Sequence, residues 1–385
     1  MRDNGVVNVG PEPLTFDDVI KVARHGAPVR LTDDAMAAVA AARQRVDELA
    51  ESPVPVYGIS TGFGALATRH IDPELRAQLQ RSLVRSHAAG NGPEVETEVV
   101  RALMLLRLHT LATGHTGIRP TTAKTLAALV SAGITPVVHE YGSLGCSGDL
   151  APLAHVALTL MGEGVVRDKS GNITEAAEAL KQAGIDPVEL AAKEGLALIN
   201  GTDGMLGMLI LAIHDLTRLA RTADVSAAMS VEALLGTDRV FAPELQALRP
   251  HPGQAAAAAN MVRILAGSGI MASHRDPEAC TRVQDAYSLR CAPQVAGAAR
   301  DTIAHAATVA TWELASAVDN PVVVDGRLES NGNFHGAPVA YVLDFLAIVA
   351  ADVASISERR TDRFLDVGRS HGLPPFLAAD QPIDT

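Results

Sequence analysis

GMLGMLILAIHDLTRLARTADVSAAMSVEALL, residues 204–235, is the stretch that decides the fold. Its few charged positions, Asp215, Arg218, Arg221, Asp224 and Glu232, leave apolar or small residues on nearly every helical face. A helix that is apolar almost all round is stable only when neighbouring helices surround it. The same Ala- and Leu-rich texture returns at 254–266, 294–317 and 337–359, and the Ala255–Ala259 tract fits helix too. The pattern predicts a mainly α fold whose core, residues 204–385, is a bundle of long helices.

Upstream the texture is mixed, and a separate N-terminal domain is expected over residues 1–203. Residues 14–50 predict a small unit with one helix, DDAMAAVAAARQRVDELA, capped by Thr32. PVPVYGISTGFG is Gly-rich with no helical period and predicts a loop. Asp72 and Pro73 are suited to start the next helix. There Leu75, Leu79, Leu83 and His87 recur every fourth residue, so one shared face is expected. Further helices are predicted over about 95–112 and 121–132, the latter closed by Gly133. EYGSLGCSG, 140–148, is a Gly-dense loop, and Asp149 is placed to cap the helix DLAPLAHVALTLMG behind it. VVRDKSGN, 165–172, predicts a hairpin turning at Lys169 to Gly171.

Composition excludes several functions. Across 385 residues, charged residues make up 20% and the net charge is -12, with no arginine-rich face. Nucleic acid and anionic membrane surfaces are therefore not expected partners. Aromatics make up only 3%, so close-packed Ala, Leu, Val and Ile must fill the core. Cys146, Cys280 and Cys291 form neither a disulfide framework nor a CxxC zinc motif. His109, His115 and His139 lack partners at metal-ligand spacing, so they are expected to be structural and no metal is expected. The N-terminus has no basic start followed by an apolar core, and Asp203, Asp215, Asp344 and Asp352 interrupt the apolar runs. A cytoplasmic protein is the expectation.

The chemistry centres on Cys146-Ser147-Gly148. In a tight bend, the Gly148 amide nitrogen can attack the Cys146 carbonyl carbon, an approach that a side chain at 148 would block. Loss of one water closes a five-membered ring. Loss of the Ser147 hydroxyl as a second water leaves an exocyclic methylidene. The product, a methylidene-imidazolone, is an electrophile made from the chain itself. Only the carbonyl of the first residue takes part, whereas the Ser147 oxygen must leave. On its own, the triplet reads first as a plain turn ahead of Asp149.

The longer string GSLGCSGDLAPLAH, 142–155, resembles the signature of the histidine/phenylalanine (aromatic amino acid) ammonia-lyase family. That family more often has Ala where this chain has Cys146. Further family strings follow in order: YGISTGFG at 57–64, RSHAAG at 85–90, NGTDG at 200–204, VQDAYSLRCAPQ at 283–294, AVDNP (commonly SVDNP) at 317–321 and ESNGNFHG at 329–336. The resemblance runs from about residue 14 to the end and is nearest the histidine-specific branch. It implies a fumarase/aspartase-like helical core and a cytoplasmic homotetramer with sites shared between subunits. It also implies methylidene-imidazolone as the one cofactor, formed autocatalytically from Cys146, Ser147 and Gly148.

The resemblance implies these roles. Tyr57 matches the catalytic tyrosine, a base whose ordinary pKa of ~10 would have to be lowered for work near neutrality. Tyr287 joins it in the catalytic set. Arg290 matches the carboxylate binder, suited by its two-pronged guanidinium. Gln284, Tyr287 and Arg290 are spaced to face one cleft along a helical turn. Asn200 matches the amide that contacts the ring and substrate, and Phe334 the aromatic beside the ring-forming loop, where ordinary core packing is the other reading. Ser86-His87 stands where the family contacts the substrate's ring. A polar pair suits an imidazole, since a phenyl ring would leave its polar groups unsatisfied.

L-Histidine is thus the expected substrate, losing ammonia without oxidation to give trans-urocanate, the first step of histidine breakdown. The alternatives are a tyrosine or phenylalanine ammonia-lyase or aminomutase with the same electrophile, or a catalytically inactive helical subunit or fragment. A fumarase-type lyase is disfavoured by the lack of a GSSxMPxKxN-type loop. Family members continue past the terminal DQPIDT with more helix and a glutamate that helps handle the imidazole. The C-terminal part of the family fold is therefore expected to be absent, with activity or stability impaired.

Overall fold

The computed structural model describes residues 5–52, 55–62, 64, 67–276, 278, 280 and 282–378. Phe63 of YGISTGFG and the DQPIDT terminus lie outside the described residues. The chain is mainly α. Its helices are α1 (Phe16–His25), α2 (Asp33–Ala50), α3 (Arg76–His87), α4 (Thr97–Ala112), α5 (Pro120–Ala132), α6 (Leu150–Leu160), α7 (Ala176–Ala183) and α8 (Glu194–Ile199). Then follow α9 (Asp203–Ala233), α10 (Pro243–Ala247), α11 (Pro252–Leu265), α12 (Gly269–Ser273), α13 (Tyr287–Arg290), α14 (Ala292–Leu314) and α15 (Ala337–Leu365). The four long apolar patterns correspond to α9, α11, α14 and α15. Two compact units divide the chain, one of residues 1–211 with 309–340 and the other of 212–308 with 341–385.

In the first unit, α4 is the central helix. Thirteen of its side chains are buried, and it packs against α1, α2, α5 and α6. Thr32 caps α2 by accepting the Ala35 amide. The preceding α1 was not expected, although its signal is present: Thr15 and Asp18 form a capping box. Gly133 closes α5 in the left-handed conformation that an L side chain resists. The expected hairpin forms between Val165–Arg167 and Ile173–Glu175, joined by Thr135–Pro136 in a three-stranded sheet.

Two expectations fail here. Asp72 makes no side-chain cap; Pro73–Leu75 is a 3-10 turn and the α-helix begins at Arg76. On α3 the every-fourth-residue stripe is not the buried face either. Leu75 is 51% exposed, while Gln80, Leu83 and Val84 point into the core. A four-residue step drifts round the helix relative to 3.6 residues per turn, so the stripe leaves the core at its N-terminal end.

The second unit has its own core. Ala227, Val231 and Leu234 meet Ala258, Met261 and Leu265 of α11, together with Phe241, Leu289 and Ala292. Small residues allow the helices to approach closely, as the low aromatic content requires. Two helical runs, Glu194–Ala233 and Ala337–Leu365, are long and apolar enough to cross a bilayer by length and composition, despite the interrupting aspartates. The most apolar window of the first is 89% buried within the protein.

Candidate active site

Hydrogen bonds in the first unit converge on the Gly145–Gly148 turn. The Gly148 amide donates to the Gly145 carbonyl at 3.2 Å, which puts Cys146 and Ser147 at the tip. Gly145 and Gly148 both have positive φ, 67° and 73°. A Cβ on Gly148 would collide with the Gly201 carbonyl and lie 3.3 Å from the Phe334 carbonyl oxygen. Glycine is required there twice over, by conformation and by space. The Cys146 side chain is exposed, so the departure from the commoner alanine disturbs no packing.

Residues of NGTDG, AVDNP and ESNGNFHG clamp this turn. The Asp149 amide donates to the Gly201 carbonyl at 2.7 Å, and the Gly336 amide to the Gly145 carbonyl at 2.8 Å. Asn200 donates through Nδ2 to the Asn320 carbonyl at 2.9 Å. A hairpin, Val322–Val324 with Arg327–Glu329, folds AVDNP back onto ESNGNFHG. Its turn residues Asp325 and Gly326 both have positive φ, as a two-residue hairpin demands. The Asn320 side-chain oxygen then accepts the Asn331 amide at 2.9 Å, and Asn331 donates to the Asp319 carbonyl at 3.0 Å.

Buried charge holds this assembly from behind. Arg107 of α4 is fully buried and donates to the carbonyls of Asn200 (2.9 Å) and Val318 (2.8 Å). Its Nε lies 3.5 Å from the Asp203 carboxylate. Burial pushes the Asp203 carboxyl up to about 6, with Arg107 opposing and Asp149 adding to the rise. Burial likewise raises Asp149, whose hydrogen bonds work against the shift, and Glu313, which accepts the Thr202 hydroxyl. Lys193 and Asp319 form a wholly buried pair at 2.6 Å. None of Arg107, Asp203, Glu313 or Lys193 was picked out as functional from the sequence. For Arg107 a signal existed: a lone arginine inside the apolar run of α4 needs buried partners.

Ser86-His87 ends α3, and the residues that follow it reach the same loop. Asn91–Glu94 pairs antiparallel with His139–Tyr141, so RSHAAG runs alongside the approach to the turn. Gly90 and Gly142 touch backbone to backbone: a Cβ on Gly142 would be 3.2 Å from the Gly90 Cα. His87 Nδ1 lies 2.9 Å from the Leu83 carbonyl, which can only accept, so Nδ1 carries the proton. In the neutral ring Nε2 is then the lone-pair nitrogen. The Ser86 hydroxyl also donates to the Leu83 carbonyl, at 2.8 Å.

Tyr57 lies half-buried in a turn, its hydroxyl oxygen 3.5 Å from the Gly64 amide. Ile59 anchors that turn against Val46 of α2 and Val323 of the hairpin.

In the second unit Gln284, Tyr287 and Arg290 line one cavity of about 790 Å³ with Arg282, Arg363 and His371. The expected single helical face is not what aligns them. α13 is four residues long and Gln284 lies in the loop before it. The Arg290 guanidinium sits 4.6 Å over the Tyr287 ring and makes no ion pair among the described residues. Its buried Nε has no hydrogen-bond partner. An arginine held on an aromatic face with its charge uncompensated is prepared for an incoming carboxylate. His109, His115 and His139 each bond a backbone carbonyl through one ring nitrogen. Among the described residues no cluster of three or more His, Cys, Asp or Glu could hold a metal ion.

Residues 14–384 match the sequence profile of the aromatic amino acid lyases. The chain belongs to the aromatic amino acid lyase family. A histidine ammonia-lyase of Streptomyces avermitilis is 67% identical over 380 residues, 98% of this chain and 74% of that protein. Among solved structures, a tyrosine aminomutase from Streptomyces globisporus superimposes with a TM-score of 0.90 at 41% identity, covering 98% of this chain and 74% of its own. The histidine ammonia-lyase of Trypanosoma cruzi does so at 0.86 and 37%, covering 96% and 70%. As an aromatic amino acid lyase, the chain has the mainly helical fold of these relatives and is a carbon–nitrogen lyase.

The turn fits the family's prosthetic ring. Residue 148 is backbone-only, Cys146 and Ser147 are at the tip, and Gly201 and Gly336 hold the ends.

Proposed function

We propose that this lyase is a histidine ammonia-lyase. It breaks the Cα–N and one Cβ–H bond of L-histidine, releasing ammonia and trans-urocanate without oxidation. The observation that carries the reading is the Gly145–Gly148 turn, clamped by Gly201 and Gly336 and approached by the segment that follows Ser86-His87. The ring formed from Cys146, Ser147 and Gly148 supplies an electrophile that draws electron density from the substrate.

The chain's own residues do the rest. Arg290, with its uncompensated guanidinium, grips the substrate carboxylate, and Gln284 and Tyr287 complete that subsite. The lone pair on His87 Nε2 accepts the imidazole N–H of the substrate, with the Leu83 carbonyl fixing the tautomer. Tyr57 takes the Cβ proton. Asn200 and Phe334 border the ring. Tyr287, on which Arg290 rests, orients the acid group as the Cβ proton leaves. The working form is a cytoplasmic homotetramer with sites shared between subunits, binding neither nucleic acid nor membrane.

A second reading, a tyrosine aminomutase or tyrosine lyase, is favoured by the Streptomyces globisporus neighbour. Higher identity to histidine ammonia-lyases and the polar Ser86-His87 pair weigh against it. The test is ultraviolet monitoring with L-histidine and, separately, L-tyrosine, alongside intact mass. Urocanate from the wild type, none from Ser147→Ala, and a wild-type mass lower by about 36 Da for two lost waters are the expected results. Turnover that survives Ser147→Ala, or conversion of tyrosine alone, would overturn the proposal.

A further inference from the structure

His155 lies on α6, seven residues beyond the ring-forming triplet, and faces the segment that carries Ser86-His87. The Gly90 amide donates to His155 Nε2 at 3.3 Å. Gly90 is packed closely against both histidines: a Cβ there would sit 3.2 Å from Nε2 and 3.5 Å from the His139 Cβ. Two residues on, the Gly92 carbonyl accepts from His139 Nδ1 at 2.8 Å. The two imidazoles meet edge to face, with ring centroids 6.3 Å apart. One histidine thus takes an N–H and the other gives one, and between them they grip the backbone of residues 90–92. That backbone leads directly from Ser86-His87 into the strand beside the ring-forming loop.

We infer that His155 is a positioning residue for substrate binding: as a neutral acceptor it pins the Gly90 amide and thereby holds His87 at its working distance from the ring-forming turn. The inference rests on the proposed function for the substrate, and on the Gly90 contact for the geometry. A protonated His155 would present N–H to N–H, losing the bond and pushing Gly90 away. Two features keep it neutral. Burial lowers its tendency to protonate, and the His139 ring facing it from the adjoining strand also disfavours a positive charge on it. Acidification below the ordinary histidine range should therefore free the turn, and recognition should weaken before chemistry does.

The test compares His155→Gln, whose amide oxygen can still accept, with His155→Leu, which cannot. In the purified full chain, hydrogen–deuterium exchange of the peptide spanning 88–92 should be about tenfold faster in His155→Leu and restored in His155→Gln. With L-histidine, KM should rise about three- to tenfold in His155→Leu with kcat little changed, and recover in His155→Gln. The acid-side rise in KM expected of the wild type should shrink in His155→Gln, which does not titrate. Unchanged exchange in His155→Leu, or a Gln variant as loose as the Leu variant, overturns the inference. The exchange measurement decides this whether or not L-histidine is turned over, so a failure of the substrate assignment shows separately, as a wild type that makes no urocanate.

Discussion

Asp149 accepts the Gly204 amide at 2.8 Å, so it caps α9 and not the helix it precedes. It occupies the N-cap position of α6 but makes no side-chain bond to that helix. The same Oδ2 takes the Met205 amide at 3.0 Å, and Oδ1 takes the Ser143 hydroxyl at 2.6 Å. One carboxylate therefore ties the two ends of the ring-forming loop to the first turn of the longest helix. Asp149→Ala would orphan one buried and one part-buried amide and a hydroxyl, and should cost roughly 3 kcal/mol by urea denaturation. Asp149→Asn, retaining an oxygen, should cost less. An Ala variant as stable as the wild type would remove Asp149 from this role.

Asp203 carries a pH signature of opposite sign to most surface carboxylates. Its folded-state pKa of about 6 lies above the ordinary 3.8. The folded state therefore holds a proton that the unfolded state has released, and stability falls as pH rises through that window. The contribution is about 3 kcal/mol, lost between about pH 4 and 6. Asp203→Asn should remove this slope, so its stability relative to the wild type should climb over the same range. Denaturant titrations at several pH values check this; a difference independent of pH would rule it out.

Part of this was legible in the sequence, and the reason differs by residue. The long helices of both units were plain in 204–235 and its later counterparts, because burial on all faces leaves no polar stripe. Thr32 was readable because a cap is a local bond. The true partner of Asp149 was not, since Gly204 lies 55 positions away and only the folded chain brings the two together. The hidden roles of Arg107 and Lys193 have the same cause: their partners are carbonyls and carboxylates distant in sequence. The strings that form the clamp stand in family order along the chain, but their convergence on Gly148 depends on the Asp325-Gly326 hairpin.

Arg290 is expected to matter for substrate and hardly at all for folding. Its guanidinium has no ion pair among the described residues to lose, only its stack on Tyr287. Arg290→Lys keeps the charge but not the fork, and should lower kcat/KM about tenfold to a hundredfold, mainly through KM. The urea midpoint should stay close to that of the wild type. A variant that unfolds readily while binding L-histidine normally would assign Arg290 a structural role.

Lys193 and Asp319 test whether buried charge sets the clamp. The pair is wholly buried at 2.6 Å, and Asp319 adjoins Asn320, whose carbonyl receives the Asn200 amide. Lys193→Met strands an unpaired carboxylate, and should destabilise the chain by about 3–5 kcal/mol. Removing both charges, Lys193→Met with Asp319→Asn, should recover much of that loss, because the desolvation cost of the surviving charge disappears. The single variant should also slow the reaction, since a displaced Asp319 would drag Asn320 away from Asn200. If the double variant is no more stable than the single one, the loss comes from packing and not from the stranded charge; normal turnover in the single variant would uncouple Asp319 from Asn200.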